Sequence, residues 1–206
     1  MYLGGLNFIT DSRACRLPYE EMTGRVLKSR VKWIQLRDKD RSRRAIYEEA
    51  LSLRAITGEN NAVLVINDHA DIALAVNADG VHLGQDDLPL KEARRIMGGG
   101  KIIGISTHSL AQARDAEEGG ADYIGFGPVF FTKTKDAGIP MGIEMLAEIK
   151  KAVGIPVVAI GGINLENLKA VLETGADAVA VASAILCGDI EWNTERFLDI
   201  INSYGV

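Results

Sequence analysis

Apolar runs and amphipathic stretches alternate eight times along this chain. The runs fall at Leu6 to Thr10, Trp33 to Arg37, Val63 to Asn67, Gly80 to Gly84, Lys101 to Ser106, Tyr123 to Val129, Pro156 to Gly161 and Ala178 to Ala182. They are almost continuously apolar, without the in-out alternation of a half-solvated sheet, so helices are expected to cover them. Helical spacing fills the intervals, at Tyr19 to Lys28, Arg43 to Leu53, Leu90 to Met97, Leu110 to Glu117, Ile143 to Ala152 and Leu165 to Leu172. Strand and helix in strict alternation predict an α/β fold with parallel strands. Eight such units fit a closed (β/α)8 barrel; a doubly wound open sheet is the alternative, because 206 residues are compact for eight units.

A recurring turn supports the repeat. Asn77-Ala78-Asp79-Gly80, Gly120-Ala121-Asp122-Tyr123 and Gly175-Ala176-Asp177-Ala178 each place a residue tolerant of positive φ where a helix hands over to a strand. No linker or low-complexity segment interrupts the pattern, so residues 1–206 read as a single domain. Hydrophobic content of 47% with 25% charged residues is that of a globular protein. No apolar run approaches the roughly 20 residues that cross a bilayer, and the N-terminus has no signal-peptide pattern, so a cytoplasmic location without membrane contact is expected. A formal net charge of −5 argues against non-specific nucleic-acid binding, and any anion must be held by a local cluster. Cys15 and Cys187 have no metal-ligand spacing and read as bystanders.

Chemistry collects just beyond the strands. In Gln35-Leu36-Arg37-Asp38-Lys39, alternation points Gln35, Arg37 and Lys39 the same way. Ser106 ends the fifth run, and Thr132-Lys133-Thr134-Lys135 follows the sixth with two hydroxyls and two ammonium groups, a combination suited to a polyanion. Gly161-Gly162 and Ser183 follow the last two runs, where backbone N–H groups can approach a phosphate; a tight turn is the alternative for the glycine pair. Asp68 and Asp87 follow adjacent strands. Two carboxylates without His or Cys suit Mg2+, with capping of the following helices as the alternative. Asp86 reads as solvated and Asp71 as helical. His82 reads as a buried, hydrogen-bonded strand residue, and His69 and His108 as rim residues.

These segments carry a resemblance. Phe8-Ile9-Thr10-Asp11, Gln35 to Lys39, Ile66-Asn67-Asp68, Gly80 to Asp87, Ile105 to Ser109, Tyr123 to Lys135 and Val158 to Ile163 together resemble thiamine-phosphate synthases. The resemblance implies a TIM barrel that condenses hydroxymethylpyrimidine diphosphate with a thiazole phosphate, using Mg2+, to give thiamine monophosphate and pyrophosphate. It implies that Gln35 and Asn67 sit near the pyrimidine and its diphosphate, that Arg37, Lys39, Ser106 and Lys135 hold the diphosphate, and that Asp68 and Asp87 hold the metal. It further implies that Thr132 and Thr134 hold the thiazole, that Gly162 and Ser183 bind its phosphate, and that Lys135, Arg37 and Ser106 form the catalytic set. In that chemistry the methylene–oxygen bond breaks early and the thiazole nitrogen attacks the methylene carbon. The expected partners are these small molecules, with room for a homo-oligomer.

Two positions depart from the family pattern. Phe131 stands where Pro commonly precedes the Thr, and packing of its ring is expected to stiffen the loop. Ala182 replaces a common Val before Ser183 in the substrate pocket and leaves it roomier. Two other functions fit parts of the pattern: a thiazole tautomerase-like barrel, in which the diphosphate and metal residues are typically depleted, and a non-catalytic phosphate-ligand sensor. Retention of Lys135, Asp68 and Asp87 favours the synthase.

Overall fold

The computed structural model describes residues 4–132 and 138–206. Eight parallel strands close into a barrel in chain order: β1 (Gly5–Ile9), β2 (Trp33–Leu36), β3 (Val63–Asn67), β4 (Gly80–Leu83), β5 (Ile102–Thr107), β6 (Tyr123–Phe126), β7 (Val157–Ile160) and β8 (Ala178–Val181). The ring is completed by β1 against β8, with Phe8 opposite Val181. A doubly wound open sheet, the alternative allowed by the sequence, is therefore excluded.

The helices around the barrel are α1 (Tyr19–Lys28), α2 (Arg43–Glu59), α3 (Ala70–Ala75), α4 (Leu90–Met97), α5 (Leu110–Glu118), α6 (Gly142–Ala152), α7 (Leu168–Leu172), α8 (Ser183–Leu186) and α9 (Ile190–Ser203). Three begin at side-chain caps: Ser42, Ser109 and Asp189 accept from Ala45, Gln112 and Trp192 N–H groups. Helix α2 runs beyond the expected Leu53 because its buried stripe, Ile46, Ala50, Leu53 and Thr57, keeps helical spacing for one more turn. Helix α7 starts later than expected because the Asn164 side chain accepts from the N–H groups of Glu166 and Asn167 and holds them in a turn. Strand β6 stops at Phe126, short of the expected Val129. Pro128 has no N–H to give the ladder, yet Val129 and Phe130 still donate to the carbonyls of Ile160 and Gly161.

Two apolar layers follow from strand alternation. Outward residues such as Phe8, Ile34, Leu64, Val81, Ile103 and Ile124 pack under the helices. Inward residues, Ile9, Trp33, Val65, Ile102, Tyr123, Val158, Ala178 and Ala180, fill the barrel. Glycine makes room for the large ones. A Cβ on Gly104 would lie 2.1 Å from the Tyr123 ring.

The recurring helix-to-strand turn has a structural purpose at the barrel floor. Asn77, Gly120 and Gly175 all adopt positive φ. The Asp two residues on accepts a hydrogen bond from a neighbouring strand: Leu64 N–H to Asp79 at 2.8 Å, Ile103 to Asp122 at 2.7 Å and Val157 to Asp177 at 2.7 Å. A cation from the helix that leads into the neighbouring strand completes each unit: Arg54 of α2 on Asp79, Arg94 of α4 on Asp122 and Lys150 of α6 on Asp177. The quarter before β2 departs from this scheme, with Lys32 in the Asp position donating instead to the Asn60 carbonyl. Replacing Asp122 by Ala leaves the Ile103 N–H without its acceptor. The variant is expected to lose about 1–2 kcal/mol in urea unfolding, with the fold retained; an unchanged midpoint would show the turn to be ornamental.

Candidate active site

Parallel closure brings every strand's C-terminal end to one rim, and that rim carries a cavity of about 200 Å³. Arg37, Ser106, Thr132, Gly162, Ala182 and Ser183, all singled out in the sequence, line it. Arg37 is fixed through its backbone: its N–H donates to Thr10 Oγ1 at 3.0 Å, and the same hydroxyl donates back to the Arg37 carbonyl. Its guanidinium forms no ion pair among the described residues. An uncommitted cation at a concave rim is suited to an anionic ligand.

Beside the cavity, on the β2 to β4 side, Lys39, Asp68 and Asp87 form a second cluster. Lys39 Nζ lies 3.4 Å from Asp68 Oδ2. Burial and then the adjacent Asp87 carboxylate hold the Asp68 carboxyl above its usual range, against the opposing pull of Lys39. Two carboxylates pressed together, with one partly exposed ammonium beside them, form a donor set that a hard divalent cation would relieve. No group of three or more His, Cys, Asp or Glu residues arranged for a metal occurs among the described residues, so water and ligand oxygens would have to complete such a site.

The capping alternative for these carboxylates does not hold. Helix α3 has no side-chain cap hydrogen bond at its N-cap, His69, and α4 has none at Pro89. Asp87 closes its own loop instead, accepting from Gly84 N–H at 2.6 Å. Asp68 adopts φ of +66°, its N–H donates to the His82 carbonyl, and its carboxylate lies against Lys39. The loop carrying Asp87 reaches the cavity through Gln85, whose amide donates to the Ser106 carbonyl at 2.7 Å. The carboxylates and the cavity are therefore neighbours.

Gln35 is buried inside β2 and Asn67 ends β3, on the same side as the carboxylates. Thr134 and Lys135 lie outside the described residues. As expected, Asp86 is exposed and Asp71 lies in α3. His108 lines the cavity and its Nδ1 is 2.5 Å from the Gly127 carbonyl oxygen.

Three readings change. The glycine pair serves close packing before any ligand: a Cβ on Gly161 would lie 2.6 Å from Pro128 Cα, and one on Gly162 would lie 2.5 Å from the Phe131 carbonyl oxygen. Both glycines have positive φ, which admits the segment after β6 over the end of β7. Phe131 does not stiffen that segment by packing, since it is 72% exposed; Phe130 is the residue that packs on the core. Asp11 was not singled out as a site residue, yet it lines the cavity at 4% exposure, and its Oδ2 has no hydrogen-bond partner among the described residues. The sequence signals for it were its place one residue past an apolar run and its position at the end of the Phe8-Ile9-Thr10-Asp11 segment.

The comparisons with known proteins agree with this geometry. Residues 6–185 match the family model described as thiamine monophosphate synthase. The chain belongs to the thiamine monophosphate synthase family. It is similar to the thiamine-phosphate synthase of Halalkalibacterium halodurans, 49% identical over 84% of this chain and 83% of that protein. It is likewise 49% identical to the thiamine-phosphate synthase of Syntrophomonas wolfei over 87% of each chain. Among solved structures it resembles a thiamine phosphate pyrophosphorylase from Pyrococcus furiosus, with TM-score 0.89 and 41% identity over 97% of this chain and 96% of that one. Within this thiamine monophosphate synthase scaffold, the proton balance of Asp68 has a measurable consequence. A carboxyl whose folded pKa is raised binds its proton more tightly in the folded state, so its contribution to stability falls as pH rises from the unfolded value, about 3.9, through the folded one. Asn tolerates positive φ and removes the charge. In metal-free buffer, wild-type thermal midpoints should drop relative to Asp68→Asn between pH 4 and pH 7, the variant being at least as stable at pH 7. A wild type that gains on the variant over that interval would contradict the account.

Proposed function

We propose that this barrel condenses 4-amino-5-hydroxymethyl-2-methylpyrimidine diphosphate with a thiazole phosphate, releasing pyrophosphate and forming thiamine monophosphate in the cytoplasm. The carrying observation is that a carboxylate pair with Lys39 stands beside a rim cavity lined by Arg37 and Ser106. Two anionic substrates need two anion sites, and the rim offers a cationic one near β2 and β5 and a glycine-lined one after β7 and β8. Family membership supports the same chemistry.

The residues divide the work. Asp68 and Asp87 would hold Mg2+, which supplies positive charge to the diphosphate when bound. Arg37, Lys39, Ser106 and Lys135 bind the oxygens on which charge grows as the methylene–oxygen bond breaks. Gln35 and Asn67 orient the pyrimidine, and Thr132 and Thr134 the thiazole. The backbone at Gly162 and Ser183 binds the thiazole phosphate, with Ala182 widening the wall, so that the ring nitrogen faces the methylene carbon. No side-chain nucleophile is required, because the attacking atom belongs to the second substrate. Neither a tautomerase nor a phosphate sensor needs the carboxylate pair.

Incubating the protein with both substrates and Mg2+ should yield thiamine monophosphate, detected by mass spectrometry. Binding of the thiazole phosphate alone, without product, would favour the tautomerase-like reading. Lys135→Ala and Asp68→Asn should each lower turnover on the order of 10²- to 10³-fold, with thermal midpoints that show an intact fold. Steady-state rates unchanged by either substitution would remove that residue from the mechanism.

A further inference from the structure

Three inward-facing residues of β4, β5 and β6 form a chain of polar contacts leading from the barrel interior to the cavity. Tyr123 Oη lies 2.9 Å from His82 Nδ1, and His82 Nε2 lies 2.9 Å from Ser106 Oγ. Glycines make this path possible. Gly104, paired with both His82 and Tyr123 across β5, leaves the space that the Tyr123 ring occupies, and Gly125 stands 3.0 Å from the imidazole when a Cβ is built on it. The two rings stack with centroids 5.4 Å apart, and Trp33 packs edge-on against Tyr123.

Hydrogen-bond accounting gives the chain a direction. Tyr123 is 1% exposed, and among the described residues its hydroxyl has one hydrogen-bond partner, His82 Nδ1. Burial pushes the phenol's pKa up, so it keeps its proton. That proton needs an acceptor, since a buried hydroxyl donor without one costs free energy of its own. Only an unprotonated Nδ1 supplies it. A neutral imidazole with a bare Nδ1 carries its proton on Nε2, which then donates to Ser106 Oγ. A serine oxygen that already accepts from imidazole has its own hydrogen left to give, and Ser106 lines the cavity.

We propose that Tyr123 and His82 are positioning residues: they lock the His82 tautomer so that the Ser106 hydroxyl donates its hydrogen into the cavity, to an oxygen of the bound diphosphate. The opposite polarity would turn Ser106 towards Nε2 and present its lone pairs to an anion. The inference rests on the reading of Ser106 as a diphosphate ligand, and it assigns that ligand a direction and two supporting residues.

Two measurements test it. Long-range ¹H–¹⁵N correlation spectra of the labelled wild-type protein, assigned with a His69→Gln/His108→Gln variant, should show His82 neutral and protonated at Nε2. An Nδ1–H or doubly protonated ring would overturn the proposal. The second is a double-mutant cycle read by calorimetric binding of inorganic pyrophosphate with Mg2+. Tyr123→Phe should weaken binding roughly tenfold in the wild-type background and leave it unchanged in the Ser106→Ala background. Equal losses in both backgrounds would reduce Tyr123 to packing and overturn the proposal. If Tyr123→Phe does not fold, the wild-type spectrum decides alone. Absence of thiamine monophosphate in the condensation assay would remove the proposed function, while the tautomer would still decide this inference.

Discussion

The pairing of β1 with β8 is the contact on which the arrangement of the rim depends. Once Leu6, Asn7 and Phe8 lie beside Val179, Ala180 and Val181, no strand edge remains open and all eight C-terminal ends face the same way. Residues separated by most of the chain, such as Arg37 and Ser183, then share one cavity. The apolar inner layer keeps that ring from collapsing or filling with water, and the floor aspartates tie neighbouring strands below it. Stability is concentrated at the floor and chemistry at the rim, a division that parallel closure imposes.

The rim itself is electrically divided. Asp68 and Asp87 concentrate negative charge that burial makes costly, and Lys39 offsets part of it. Arg37 lies nearby and forms no ion pair among the described residues. Each cluster is poorly satisfied alone, and each is relieved by what the other would bring through a shared ligand: a cation for the carboxylates and an anion for the guanidinium. A metal-bound diphosphate has both characters. On the other side of the cavity, Gly161 and Gly162 allow the segment after β6 to lie against the end of β7, which brings Thr132 to the same wall.

Much of this was legible in the sequence because its signals are local. Near-continuous apolar runs marked the strands, and a carboxylate, cation or hydroxyl at the end of most of them marked the rim. The end of β6 was misplaced because Gly127-Pro128-Val129 continues an apolar run that a residue without an N–H cannot extend as a ladder. The Tyr123–His82–Ser106 chain was not legible, although His82 was read as buried and hydrogen-bonded. Its partners lie on three strands, and only the register that sets His82 opposite Gly104, and Gly104 opposite Tyr123, brings them together. Asp11 escaped notice because an orphaned oxygen is a property of packing, not of spacing. The glycine pair was recognised, but its need to admit Pro128 and Phe131 could be seen only in three dimensions.

The central claim is that one rim holds two anions at once in separate places, one by the carboxylate and cation cluster and one by the glycine-lined wall. Calorimetric titration of magnesium pyrophosphate into protein saturated with the thiazole phosphate measures this directly. The account predicts one pyrophosphate bound per chain with affinity undiminished by the first ligand. Displacement of the thiazole phosphate by pyrophosphate would mean a single anion site and would contradict it.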